Sequence, residues 1–155
     1  MSNRPRSRGN LLIVSAPSGG GKTSLVNALL AEDPGLALSV SHTTRPPRRG
    51  EQDGKHYHFE PEQEFQQLAG EGAFAEHALV FGHHYGTHAG FMSGQLDNGL
   101  DVILEIDWQG ARQVRAAFDA CRSVFILPPS LEVLRQRLAR RATDSEEVIQ
   151  RRMQQ

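Results

Sequence analysis

The chain has 155 residues, 38% of them hydrophobic and 23% charged, with a formal net charge of −1. That length suits one domain burying ~68–70% of its unfolded surface, and the near-neutral balance supplies no whole-molecule field for nucleic acid or membranes. The single Cys121 excludes an intramolecular disulfide framework and suits a reducing compartment, where it reads as an inert structural thiol.

In chain order, residues 1–8 read as a disordered basic leader carrying Arg4, Arg6 and Arg8. The apolar stretch after it covers four residues, too short for a signal peptide or a membrane span, so a cytosolic protein is expected. Leu11–Ser15 reads as a buried strand of a parallel sheet. It feeds Ala16, Pro17, Ser18, Gly19, Gly20, Gly21, Lys22 and Thr23, the P-loop order with Ala16 in place of the first glycine. Glycines there let main-chain N–H groups converge on phosphate oxygens, and the following helix adds the positive end of its dipole. Lys22 would reach the β/γ-phosphates and the Thr23 hydroxyl would ligate Mg²⁺, so the run predicts a nucleoside triphosphate site. The helix is expected over Lys22–Ala31, with Leu25, Ala28 and Leu29 on its apolar side, followed by a strand at Leu36–Ser39.

From Ser41 to about Gly90 the texture changes, and six of the seven histidines and both tyrosines fall between His56 and His88. An inserted substrate-binding subdomain is expected here, with antiparallel strands at Lys55–Phe59 and Phe74–Phe81 flanking a helix at Pro61–Ala69. The histidines lack the HExxH or CxxC companions of a zinc site, and none is expected. The α/β rhythm then resumes with helix Ala89–Asn98, strand Asp101–Asp107, helix Gln109–Phe118, buried strand Ser123–Leu127 and helix Leu131–Arg141. Alternation of this kind predicts a right-handed parallel α/β sheet with ligands beyond the carboxyl ends of its strands.

Three constellations carry further chemistry. In Ser41–Glu51 two prolines stiffen a segment from which Arg45, Arg48 and Arg49 project, either as a phosphate clamp or as a solvated basic loop. Glu105 and Asp107 close an apolar strand, where acids can organise Mg²⁺ and nucleotides; Asp107 can equally cap the next helix. Between Arg135 and Arg152 six arginines face three acids, as a mobile clamp on transferring phosphate or as an exposed basic surface, with Asp144–Glu147 resembling a helix start.

Taken together, the pieces SAPSGGGKTSL, SVSHTTRPPRRGEQDGKHYHF, FAEHALVFGHHYGT, VILEIDWQGARQV and VFILPPSLEVLRQRL resemble the guanylate kinase family from Asn10 to Gln155. The resemblance implies a P-loop core (9–40 and 90–136), a nucleoside-monophosphate-binding insertion (41–89) and an arginine lid (137–152). It implies transfer of the ATP γ-phosphoryl group to GMP with Mg²⁺; from the near-neutral charge neither nucleic acid nor membrane is expected as partner, and oligomeric state is left open. By the same resemblance Arg45, Arg48, Tyr57 and Tyr85 would clamp the GMP phosphate. Ser41, Glu76 and Thr87 would read guanine, and Glu51, Glu105 and Asp107 would complete the acceptor site. Arg137, Arg141 and Arg152 would join Lys22 and Arg45 in stabilising the transferring group. A carboxylate suits guanine because it accepts from both N1–H and N2–H₂, a donor pair that adenine lacks. Without the resemblance Glu76 reads as an ordinary strand carboxylate. Ala142 stands where the family usually has glycine, which bears on the lid hinge.

Family members normally continue for about fifty residues with a last strand, an Asn-Asp segment near adenine and a closing helix. A fragment or shortened variant is therefore expected. Two rivals remain: a related P-loop kinase with another phosphorylated acceptor, and a guanylate-kinase-like binding module without catalysis. The intact GGGKT favours an enzyme.

Overall fold

Strand β1 (Leu11–Ser15) takes its place in a four-stranded parallel sheet with β2 (Leu36–Ser39), β7 (Asp101–Glu105) and β8 (Arg122–Phe125), in the order β2-β7-β1-β8. A computed structural model of the chain describes residues 7–140 and 145–153. Apolar runs without alternation suit strands covered on both faces. Leu11 and Ile13 of β1 and Val102 and Leu104 of β7 join Met92, Leu96 and Val114 on the side of α3 (Ala89–Asp97) and α4 (Trp108–Ala117). Val14 and Ile103 face the other way, against Val26 of α1 (Lys22–Glu32). The chain is thus α/β, with helices on both faces of a parallel sheet.

Between β2 and β7 the chain builds a second sheet, ordered β4-β3-β6-β5, from β3 (His42–Thr43), β4 (His58–Phe59), β5 (Phe74–Val80) and β6 (His83–His88). One face packs on Phe65 of α2 (Glu62–Gly70), which is fully buried and stacks on Phe74 at 4.6 Å and on His84 at 5.3 Å between ring centroids. Since side chains alternate along strands, Thr43, Tyr85, Thr87 and Glu76 fall on the opposite face. Helices α5 (Leu131–Arg140) and α6 (Glu146–Met153) pair through Leu134, Leu138 and Ile149.

Several expectations need correcting. The segment Lys55–Phe59 forms a strand only at His58–Phe59, and it runs parallel to β3, since the intervening loop returns the chain to the same end of the sheet. Strands β3 and β6 carry His-rich and polar runs without an apolar pattern, and their pairing comes from long-range contact. The strand expected to be buried at Ser123–Leu127 is Arg122–Phe125 and is exposed throughout, because β8 is an edge with only β1 beside it among the described residues. In α1 the fully buried residue is Val26, while Leu25 is 42% exposed, because the sheet meets a different stripe of the helix.

Candidate functional site

The loop after β1 leaves the sheet at the carboxyl end, and Ser15 anchors that exit by donating its hydroxyl to the Ile106 carbonyl at 2.9 Å. Within the loop Gly20 N–H donates to the Pro17 carbonyl at 2.8 Å, and α1 opens at Lys22 directly after Gly21, whose φ is 94°. At Gly19 a side chain would be both strained and crowded. Its φ is 85°, and a Cβ there would stand 3.1 Å from Leu138 Cδ2 and 3.2 Å from Leu134 Cδ1. Helix α5 therefore lies against the loop, and Arg137 Nη1 donates to the Gly20 carbonyl at 3.3 Å.

Parallel pairing of β1 with β7 sets Glu105 beside Val14 and brings its carboxylate to the first turn of α1. The Thr23 hydroxyl donates to Glu105 Oε1. Two hard oxygen donors side by side at the mouth of the loop suit Mg²⁺, which keeps several waters and takes phosphate oxygens with few protein ligands. No cluster of three or more His, Cys, Asp or Glu fit for a metal occurs among the described residues.

Strand β3 leads into the basic segment. Arg45 does not project; it is 8% exposed and lies 5.3 Å from the Tyr57 ring centroid and 5.8 Å from that of Phe59. Its fork meets Glu51 twice, Nη1 to Oε2 at 3.0 Å and Nη2 to Oε1 at 2.9 Å. Glu51 also accepts the Arg48 N–H at 2.7 Å, closing the turn that carries Arg48. Burial opposes both charges, yet the pairing prevails: Arg45 is held above its ordinary value, with help from Tyr85, and Glu51 below its own. Arg48 is half-buried and Arg49 exposed. Tyr57 and Tyr85 meet edge to face at 5.9 Å. Burial pushes the Tyr57 hydroxyl up to about 12, with Tyr85 and Glu105 adding to the effect, so it stays a neutral donor at physiological pH.

A buried carboxylate lies on the same side of this sheet. Glu76 is 4% exposed and accepts from Thr87 Oγ1 at 2.6 Å across the β5–β6 pair. Burial raises its carboxyl to about 7; Asp107 adds to the rise and the Thr87 bonds oppose it. Asp107 caps α4, accepting the Gly110 N–H at 3.0 Å. Ser41 is buried where β2 passes into β3. Glu105, Tyr57, Tyr85, Arg45 and Glu51 thus form one connected group, and Glu76, Thr87 and Asp107 a second.

Of the expected lid, Arg137 lies at the loop. Arg141 and the Arg152 side chain lie outside the described residues, and Arg135 pairs with Glu146 at 3.0 Å on the surface. Sequence reasoning passed over Thr43, which is fully buried, donates to the His84 carbonyl at 2.9 Å and accepts the Arg45 N–H at 3.1 Å. It also passed over Gly110, where a Cβ would collide with Glu76 Oε2. A glycine in the first turn of an otherwise good helix was the signal there, since it costs about 1 kcal/mol relative to alanine.

A family model described as guanylate kinase matches residues 8–155. A guanylate kinase of Alkalilimnicola ehrlichii is 63% identical over 145 residues, spanning 94% of this chain and 71% of that protein. One of Chromohalobacter salexigens is 58% identical over 153 residues, spanning 99% of this chain and 71% of the relative. A crystal structure of guanylate kinase from Anaplasma phagocytophilum superposes with a TM-score of 0.74 at 40% identity, covering 85% of this chain and 66% of that one, just under two thirds. The chain belongs to the guanylate kinase family, the kinases that phosphorylate GMP at the expense of ATP.

Proposed function

We propose that this chain carries out its family's reaction, ATP plus GMP giving ADP plus GDP, with the division of labour that follows. The loop from Ala16 to Thr23 cradles the ATP phosphates, and Lys22 places a mobile positive charge on them. Thr23, with Glu105 beside it, holds Mg²⁺, which when bound with ATP neutralises charge on the β- and γ-oxygens. The segment 41–89 is the acceptor subdomain. In it Arg48, Tyr57 and Tyr85 join Arg45 on the GMP phosphate, and Glu51 acts by aiming the Arg45 fork. Ser41, Thr87 and Glu76 read guanine, with Glu105 and Asp107 bordering the bound nucleotide.

No general base is required, because a phosphate monoester at neutral pH is already an anionic nucleophile. The protein's work is to align donor and acceptor and to exclude water. Arg137, Arg141 and Arg152, in a lid over 137–152, stabilise the charge spread over the transferring group. The 3.3 Å contact of Arg137 with the Gly20 carbonyl supports its role at the donor phosphates. The single cysteine fits a cytosolic setting.

The observation that carries the acceptor assignment is the buried Glu76 carboxylate, steadied by the Thr87 hydroxyl that donates to it; a carboxylate can accept from guanine N1–H and N2–H₂, a donor pair that adenine lacks. The test is ADP formation by the 155-residue chain with ATP, Mg²⁺ and GMP, with AMP, CMP and UMP as control acceptors. GMP-dependent turnover well above the three controls is expected. Equal turnover with AMP would overturn the guanine reading, and GMP binding without turnover would favour a binding module.

A further inference from the structure

We infer that Gln113 is a positioning residue for Glu76, and so a determinant of guanine specificity through main-chain contacts rather than through contact with the base. The inference rests on the reading of Glu76 as the guanine acceptor. Strand β5 is the edge of its sheet, so the main chain of alternate residues turns away from β6 and needs partners elsewhere. Gln113 of α4 supplies them at His77, the residue next to Glu76. Its Nε2 donates to the His77 carbonyl at 2.8 Å, and its Oε1 accepts the His77 N–H at 3.2 Å. One side-chain amide thereby does what a neighbouring strand would do.

Gln109, four residues earlier on the same helix face, repeats the contact at Leu79 (3.3 Å to its carbonyl) and also donates to Asp107 Oδ2 at 3.1 Å. Between the two glutamines stands Gly110, whose missing Cβ leaves the space that Glu76 Oε2 occupies. Helix α4 is itself seated on the first sheet through fully buried Val114. The first turns of α4 therefore hold the recognition strand at a set distance from the core, and the Glu76 carboxylate follows that strand.

The test measures GMP and IMP affinities by calorimetry on the full 155-residue chain. IMP lacks the 2-amino group, so the GMP/IMP ratio reports how well the carboxylate is aimed, and a lower folded fraction does not move it. Gln113→Met, of similar length but without the amide, should weaken GMP roughly three- to tenfold and IMP less, compressing the ratio. Gly110→Ala, whose Cβ would collide with the Glu76 carboxylate itself, should compress it in the same direction. In a Glu76→Gln background Gln113→Met should add less than about twofold. A ratio unchanged by both Gln113→Met and Gly110→Ala, or a full Gln113 effect persisting without Glu76, overturns the inference. Unaltered GMP affinity in Glu76→Gln alone overturns the guanine reading beneath it.

Discussion

Replacing Glu76 by glutamine should stabilise the ligand-free protein at neutral pH while spoiling its acceptor site. Burial holds the carboxyl at about 7, against an ordinary value of 4.5. Between those values the folded state keeps a proton that the unfolded state has released, so this group's contribution to stability falls as pH rises from 4.5 to about 7. At about 1.36 kcal/mol per pH unit, the gap amounts to roughly 3 kcal/mol of destabilisation above pH 7. Glutamine keeps an acceptor oxygen for Thr87 Oγ1 and removes the like charge facing Asp107. Thermal unfolding of wild type and Glu76→Gln at pH 8 and pH 5 reads the effect. The variant should melt higher at pH 8, by about 2–4 °C per kcal/mol for a chain of this size, and the difference should shrink toward pH 5. Its GMP affinity should fall roughly 10- to 150-fold, the value of hydrogen bonds to a charged acceptor. A variant less stable than wild type at pH 8, or a stability difference independent of pH, would refute the reasoning.

Two other perturbations test the remaining halves of the site. Glu51→Gln leaves the Arg45 guanidinium buried without its counter-charge and should cost about 1.5–3 kcal/mol at pH 7, with weaker GMP binding. Because Glu51 is held below 4.5 in the folded state, its stabilisation is present above that value and lost as pH falls through the folded one. Denaturation of the two proteins should therefore converge at low pH, and a constant difference would count against the ion pair. Gly19→Ala forces a side chain to a φ of 85° and toward Leu134 and Leu138. It should lower stability by about 1–3 kcal/mol and weaken ATP binding, because α5 and Arg137 are displaced with it. ATP affinity equal to that of wild type would show that the close packing of α5 on the loop has no bearing on the donor site.

Local sequence determined the elements whose signals are local. Leu11–Ser15 and Leu36–Ser39 are strands where unbroken apolar runs predicted them, and α1 begins at Lys22 where glycines end. Asp107 caps α4 as its residue type and position implied. The resemblance of five sequence pieces between Asn10 and Gln155 to the guanylate kinase family was legible in the chain, and the family model matches residues 8–155. Tertiary structure alone decided what depends on partners distant in the chain. The sheet order places β7 between β1 and β2 and so unites Thr23 with Glu105, 82 residues apart. It set β8 at an edge and left its apolar residues Val124 and Phe125 exposed. Folding turned Arg45 inward to Glu51 and the aromatic rings, where composition alone had it projecting with its neighbours. Burial made Glu76 a carboxyl poised near 7, and the space above Gly110 was made for it by a helix from the other sheet's layer. Periodicity reports what a segment can bury, whereas pairing, burial and charge state depend on which segments arrive beside it.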